Sequence, residues 1–200
     1  MTPAIVLVAT MTIVALGDST TAGTPGKTTF ADRMMEARPG WTVLARGVNG
    51  ERSDQIRARF ERDVEALRPD YVIILAGVND AYQGRPTEAT KLDLMWMYRR
   101  AKAAGVMPVA ATILPFTRAT PEQSLRIERL NAWIRATASH ERIPFCDTAR
   151  AAADPKDPRR LKGSPDGLHP DVETYRAVGD ALVRTLTEAS RPKDQRLNRP

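Results

Sequence analysis

Apolar runs and amphipathic stretches alternate along the chain. Residues 12–16 form a short apolar run, and residues 71–76 are almost entirely apolar, as expected of a central parallel strand covered on both faces. Between them, Ile56, Phe60 and Val64 recur every four residues, which is typical of one side of a helix. The pattern predicts strands at residues 12–16, 42–45, 71–76, 106–111 and 143–146, and helices at 30–37, 53–67, 87–104, 121–139 and 170–189.

This order of elements predicts the fold class. Five strands that alternate with helices indicate an α/β protein with a parallel sheet and helices on both faces, which is a three-layer α/β/α sandwich. Ligands of such folds bind at the carboxyl ends of the strands. The residues just past each predicted strand are therefore the first candidates for function.

Local signals predict several boundaries and faces. Ser53 is expected to cap the helix that follows it, and Pro121 and Pro170 are expected to open two others. Residues 153–165 are charged and rich in proline, which predicts a loop. One side of the helix at 87–104 is predicted to consist of Leu92, Met95, Trp96 and Arg99.

Length and charge place the chain among single-domain proteins. The 200 residues, of which 42% are hydrophobic and 27% charged, predict one domain over residues 1–190 and a polar basic tail over residues 191–200. The net charge of +6 raises the question of nucleic-acid binding. Half of that excess lies in the last ten residues, so we expect a solvated tail and no nucleic-acid partner.

The N-terminus and the single cysteine bear on location. Residues 4–9 are apolar, but the run is too short to span a membrane and no basic residue precedes it, so neither a membrane span nor a signal peptide is expected. Met11 is an alternative start, with the first ten residues as an extension. Cys146 has no partner for a disulfide and is expected to be a buried thiol. These features favour a cytoplasmic location, with a periplasmic or secreted one as the alternative.

Four unusual segments lie at predicted strand ends or before the last helix. They are GDST at 17–20, GVNGE at 47–51, GVND at 77–80 and DGLH at 166–169. Ser19 would begin a helix, where its own backbone N–H can help to hold an oxyanion, and the N–H of Gly50 and the side chain of Asn79 are further donors. Asp166 precedes His169 by three residues, so its carboxylate can meet one imidazole nitrogen while the other faces the nucleophile.

Other interpretations of these residues are structural. Asp18 and Asp80 are expected to bond loop amides and to hold turns in shape. Asp166 and His169 alone would also suit a helix cap or a metal pair. The chain has only one histidine besides His169. This residue, His140, follows a helical stretch, so a dedicated metal site is not expected.

The four blocks together resemble the GDSL/SGNH hydrolase superfamily of esterases and lipases, over residues 12–189. The resemblance implies a flavodoxin-like fold, Ser19 as nucleophile, Asp166 and His169 as the rest of a catalytic triad, and Ser19, Gly50 and Asn79 as the oxyanion hole. Three positions depart from the family pattern. Thr20 stands where many members have Leu, and Glu51 and Arg52 stand where an Asp or Asn and a Thr are frequent.

The expected function is hydrolysis of small carboxylic esters, with a short acyl group such as acetyl, on a carbohydrate among other alcohols. Ile113, Leu114 and Phe116 are predicted to line an apolar acyl slot, and Tyr82, Gln83 and Arg85 to meet the alcohol. Thioester hydrolysis, lysophospholipid hydrolysis or acyl transfer by the same triad is one alternative, and a non-catalytic flavodoxin-like binding module is another. No cofactor is expected, and the sequence carries no signal for an oligomeric state.

Overall fold

The sheet has five parallel strands in the order β2-β1-β3-β4-β5 in the computed structural model, which describes residues 10–23 and 28–191. The strands are β1 Met11–Gly17, β2 Trp41–Gly47, β3 Tyr71–Leu75, β4 Met107–Ala111 and β5 Phe145–Cys146. The helices are α1 Ser19–Ala22, α2 Phe30–Ala37, α3 Ser53–Ala58, α4 Phe60–Asp63, α5 Val78–Tyr82, α6 Thr87–Ala103, α7 Pro121–Glu141, α8 Thr148–Ala152 and α9 Val172–Ala189, with a 3₁₀ turn at Glu65–Leu67. The predicted α/β/α sandwich is confirmed.

Each central strand is buried on both faces, which explains its unbroken apolar sequence. Val14 and Leu16 of β1 face a core shared with α3 to α7, whereas Ile13 and Ala15 face a second core shared with α2, α8 and α9. This alternation is the two-residue period of a strand. The connection from β1 to β2 runs through α2 on one side of the sheet, and the connection from β2 to β3 runs through α3 and α4 on the other. The strand order therefore reverses at β1, and a crevice opens between the carboxyl ends of β1 and β3.

The predicted helix at 53–67 was wrong as a single element. It consists of α3, α4 and the 3₁₀ turn, with breaks at Arg59 and Val64. Ser53 is the first residue of α3 and Arg52 occupies the cap position, where its N–H donates to Gln55 Oε1. Ser53 does not cap the helix because buried carboxylates, described below, accept its hydroxyl and its N–H.

Two other expectations about helices need correction. The buried side of α6 consists of residues such as Leu94, Met97 and Tyr98, whereas Leu92 is 70% exposed. The predicted side was wrong because α6 has large apolar residues around most of its circumference, so their spacing alone does not identify the side that packs on the core. That side contains Leu94 and the residues three and four positions after it, Met97 and Tyr98. Helix α9 begins at Val172 with Asp171 as its cap, two residues after the expected start.

The termini of the domain lie partly outside the described residues. Residues 1–9 and nine of the ten residues of the predicted basic tail are among those not described. The division into a domain at 1–190 and a tail at 191–200 therefore stays a prediction. No helix of the described part is long and apolar enough to cross a membrane.

Candidate active site

The four sequence segments meet at the carboxyl edge of the sheet. Ser19 begins α1 two residues after the end of β1, and Gly47 is the last residue of β2. Gly77 separates the end of β3 from α5, in which Asn79 is the second residue. The segment at 166–169 approaches from the start of α9, so the four segments surround the β1–β3 crevice.

Ser19, His169 and Asp166 are connected by hydrogen bonds. Ser19 Oγ lies 2.9 Å from His169 Nε2, and His169 Nδ1 lies 2.6 Å from Asp166 Oδ2. Ser19 and His169 are 150 residues apart in the chain, so the fold makes this contact. A hydroxyl, an imidazole and a carboxylate in this order have the geometry of an activated nucleophile, its base and the group that orients the base.

The segment that carries His169 is held by hydrogen bonds between its own side chains and its own backbone. Asp166 Oδ1 accepts hydrogen bonds from the N–H groups of Leu168 and His169. Ser164 Oγ accepts from the N–H of Gly167 and donates to the carbonyl of His169. Burial opposes ionisation of Asp166, but the hydrogen bonds from the His169 ring and these amides hold its pKa well below the usual range. Asp166 is therefore a carboxylate near neutral pH.

The turn before Ser19 contains a buried acid. Asp18 accepts hydrogen bonds from both the N–H and the hydroxyl of Thr20, at 2.9 and 2.8 Å. Burial, with a smaller contribution from the nearby Asp80, raises the pKa of Asp18 to about 6 in spite of these bonds. Thr20, the departure from the family pattern, thus supplies a hydroxyl to this carboxylate that a leucine would lack.

Helix α1 packs directly on the backbone of β2. A Cβ atom added to Gly47 would lie 2.1 Å from the backbone nitrogen of Ala22 and 2.5 Å from the carbonyl oxygen of Asp18. Real side chains do not approach backbone so closely. Gly47 is therefore required for the position of Ser19 and not for a ligand contact.

The loop at 47–51 faces Ser19 from the neighbouring strand. Gly50 has φ +78°, a left-handed conformation that favours glycine. Asn79 Nδ2 donates to the carbonyl of Glu51 at 2.9 Å, and its second N–H leaves one donor for another acceptor. In the described part of the chain, the backbone N–H groups of Ser19 and Gly50 donate to no acceptor. Three donors are thus available around the crevice.

A buried polar network lies beneath this loop. Asp80, fully buried, accepts hydrogen bonds from the N–H and hydroxyl of Ser53 at 2.9 and 2.7 Å and from Thr90 at 3.0 Å. Arg85 bridges Asp80 and Asp93 at 2.9 and 2.8 Å. Asp80 is structural, as expected, but within the described residues it bonds no amide of its own turn, because its partners Ser53 and Thr90 come from distant positions that no local sequence signal marked.

A family model for the GDSL-like lipase/acylhydrolase family matches residues 15–177. The chain belongs to this family. The resemblance predicted from the four blocks is therefore confirmed.

Solved structures of other proteins share the fold. A lipolytic G-D-S-L family protein of Desulfitobacterium hafniense DCB-2 is 27% identical with a TM-score of 0.78, covering 88% of this chain and 99% of that one. A GDSL-like lipase of Bacteroides thetaiotaomicron VPI-5482 is 24% identical with a TM-score of 0.76, covering 90% and 89%. An acetylxylan esterase of Geobacillus stearothermophilus is 19% identical with a TM-score of 0.75, covering 90% and 95%.

A curated relative matches over a shorter stretch. The uncharacterized lipoprotein YqeF of Bacillus subtilis (strain 168) is 27% identical over 117 residues, which is 52% of this chain and 48% of that protein. The match thus spans about half the length of this relative. The expected cytoplasmic location stays a prediction beside a relative that is named a lipoprotein.

The rim of this GDSL-family site differs from the expected acyl and alcohol pockets. Leu114 is buried in the core on the α9 side of the sheet, and Arg85 is occupied by Asp80 and Asp93. Ile113 and Phe116 are buried and line a cavity of about 540 Å³ whose lining does not include Ser19 or His169. Leu114 therefore does not belong to the predicted apolar slot, whereas the slot stays a prediction for Ile113 and Phe116.

The exposed part of the rim is polar and aromatic. Tyr82 is 57% exposed, and its ring packs edge-on against Phe116. Gln83 lies beside it and accepts a hydrogen bond from Arg52. Among the described residues, no group of three or more His, Cys, Asp or Glu side chains is arranged to hold a metal ion.

Proposed function

We propose that this GDSL-family enzyme hydrolyses carboxylic esters through an acyl-enzyme formed on Ser19. The observation that carries the proposal is the chain of contacts from Ser19 Oγ to His169 Nε2 at 2.9 Å and from His169 Nδ1 to Asp166 at 2.6 Å. His169 takes the Ser19 proton as Oγ attacks the ester carbonyl, and it then gives that proton to the leaving alcohol. Water then attacks the acyl-enzyme with His169 again as the base, and the acid is released.

The oxyanion of each tetrahedral intermediate is held by three donors. These are the backbone N–H groups of Ser19 and Gly50 and the second side-chain N–H of Asn79. Asp166 stays ionised, which fixes the tautomer of His169 and stabilises the imidazolium that forms. The reaction uses no cofactor.

The proposed substrate is an ester of a short acyl group, such as acetyl, with a carbohydrate. Leu114, one of the three side chains expected in the acyl slot, is buried in the core on the α9 side of the sheet, which leaves a smaller slot and favours a small acyl group. Tyr82 offers an exposed aromatic ring, and Gln83 an amide, to the hydroxyl-bearing alcohol. The same preference is named for the acetylxylan esterase of G. stearothermophilus, whose likeness at 19% identity supports the fold alone.

The test is a substrate panel run with wild type and Ser19→Ala. The panel contains p-nitrophenyl esters from acetate to laurate, acetylated xylo-oligosaccharides, a lysophospholipid and acetyl-CoA. We expect turnover that falls steeply beyond short chains, labelling of Ser19 by a fluorophosphonate probe, and loss of both in Ser19→Ala.

Three outcomes would contradict this proposal. Near-full activity in Ser19→Ala would remove Ser19 as nucleophile. A preference for acetyl-CoA or the lysophospholipid would replace the substrate class but keep the mechanism. Absence of labelling and turnover in the wild type would favour a non-catalytic binding module.

A further inference from the structure

Arg59 lies on a stretch whose alternating charges suggest an exposed helix face, yet it is buried. Only 8% of the residue is exposed, whereas Arg62, three residues later, has a side chain that is 72% exposed. Arg59 is also the residue at which the helical stretch breaks between α3 and α4, with φ −103° and ψ 11°. The break lets its side chain leave the helix axis and enter the space beneath the sheet edge.

The guanidinium of Arg59 joins segments that surround the proposed site. Its Nε donates to Glu51 at 2.6 Å, and a terminal nitrogen donates to the carbonyl of Gly17 at 2.7 Å. The other terminal nitrogen donates to the carbonyl of Arg46 at 3.1 Å and to Asp63 at 2.6 Å. The planar guanidinium of Arg59 thus binds the end of β1, the end of β2 and the loop at 47–51 at the same time.

The position of Glu51 makes this contact specific to the proposed oxyanion loop. Glu51 directly follows Gly50, and its carbonyl accepts the hydrogen bond from Asn79. Its carboxylate is tied to Arg59, which in turn is tied to Gly17, two residues before Ser19. A planar guanidinium fixes both distance and direction between its acceptors, which a flexible ammonium does not.

We propose that Arg59 and Glu51 form a positioning pair that sets the spacing between the Gly50 amide and the Ser19 turn. The inference rests on the proposed function, because it assigns a role in the geometry of that oxyanion hole. Neither residue touches the reacting atoms. Since displacements of about 1 Å can cost on the order of a hundredfold in rate, loosening the pair affects kcat and leaves substrate binding nearly unchanged.

Two matched variants test the pair. Glu51→Gln and Asp63→Asn each remove one carboxylate charge from the same guanidinium, but only Glu51 belongs to the loop. We expect Glu51→Gln to lower kcat for p-nitrophenyl acetate about ten- to a hundredfold with KM within twofold, and to slow fluorophosphonate labelling in parallel. Asp63→Asn is expected to lower the Tm at least as much and to keep kcat within twofold.

Arg59→Lys completes the set. A lysine keeps the charge but cannot reach four acceptors in one plane, so its kcat is expected to fall as in Glu51→Gln, and adding Glu51→Gln to it should cost little more.

The outcomes separate the inference from the function it rests on. Equal kcat in Glu51→Gln and wild type, or an equal loss in Glu51→Gln and Asp63→Asn, would overturn the positioning role while Ser19 labelling keeps the proposed function. A wild type that is neither labelled nor active would overturn both.

Discussion

The segment that carries Asp166 and His169 and the platform that carries Ser19, Gly50 and Asn79 are held by different physical means. In the base segment, hydrogen bonds join residues two to five positions apart, and the side chain of Asp166 is 50% exposed. The platform is held by buried ion pairs between residues four to eight positions apart and by buried hydrogen bonds that join residues 27 to 42 positions apart.

This difference indicates where tolerance to change should lie. A local segment re-forms its own hydrogen bonds when its surroundings shift, whereas a buried carboxylate without its partner is costly. Substitutions in the base segment should therefore lower kcat with little effect on the Tm. Substitutions in the platform should instead alter the geometry of the site and lower the Tm.

The largest effect is expected from Asp166→Asn. The variant keeps the shape of the segment but loses the charge that fixes the tautomer of His169, so kcat should fall roughly 10³–10⁴-fold. The Tm should change little, because the contacts of Asp166 are local and half exposed. Glu173→Gln, an exposed acid in the first turn of α9, is the control and should keep wild-type kcat. A large loss of Tm in Asp166→Asn would contradict the contrast.

A smaller loss is expected from Asn79→Ala. It removes one proposed oxyanion donor and the hydrogen bond to the Glu51 carbonyl, so kcat should fall roughly 10²–10³-fold with KM nearly unchanged. Asn79→Asp retains the size of the side chain but presents a negative charge to the oxyanion, and it should be slower than Asn79→Ala. If Asn79→Asp equals wild type, Asn79 is not a donor to the reaction.

The smallest effect concerns stability and pH. Because burial raises the pKa of Asp18 from 3.8 to about 6, the folded protein binds a proton more tightly than the unfolded chain. Stability from this group is present below pH 4 and is lost as the pH rises through 6, by up to about 3 kcal/mol.

Asp18→Asn should remove this dependence, so its unfolding free energy relative to wild type rises between pH 4 and pH 7. Chemical denaturation across that range measures it. Thr20→Val, which deletes one hydrogen bond to Asp18, should move the wild-type transition to higher pH. Parallel pH profiles for wild type and Asp18→Asn would show that another group is responsible.

The sheet and the base segment were predictable because their signals are local. The apolar runs predicted four of the strands to within two residues at each end, and β5 with an N-terminal excess of two residues, since strands buried on both faces carry no polar interruption. The spacing of Asp166 and His169 predicted their contact, because a short turn brings the carboxylate to the ring. The catalytic roles of these residues stay predictions until the variants are measured.

The platform was less predictable because its partners are distant in sequence. Ser53 suits a helix cap by local rules, and only the fold brings it to the carboxylate of Asp80. Arg85 was expected to meet the alcohol, and Arg59 lies among alternating charges that suggest an exposed helix face. No periodicity distinguishes a buried guanidinium from an exposed one. Leu114 was misplaced for the same reason, since residues after β4 can face either the site or the core.

The bare backbone contact at Gly47 has a further consequence for reshaping this enzyme. Since α1 rests on that glycine without room for a methyl group, a library that varies position 47 would displace the nucleophile before it altered a substrate pocket. Val48, 40% exposed in the loop at 47–51, and Tyr82, 57% exposed with its ring against Phe116, have more room to change. Laboratory evolution towards bulkier esters should therefore vary the exposed side chains beside the crevice and keep Gly47 behind the nucleophile.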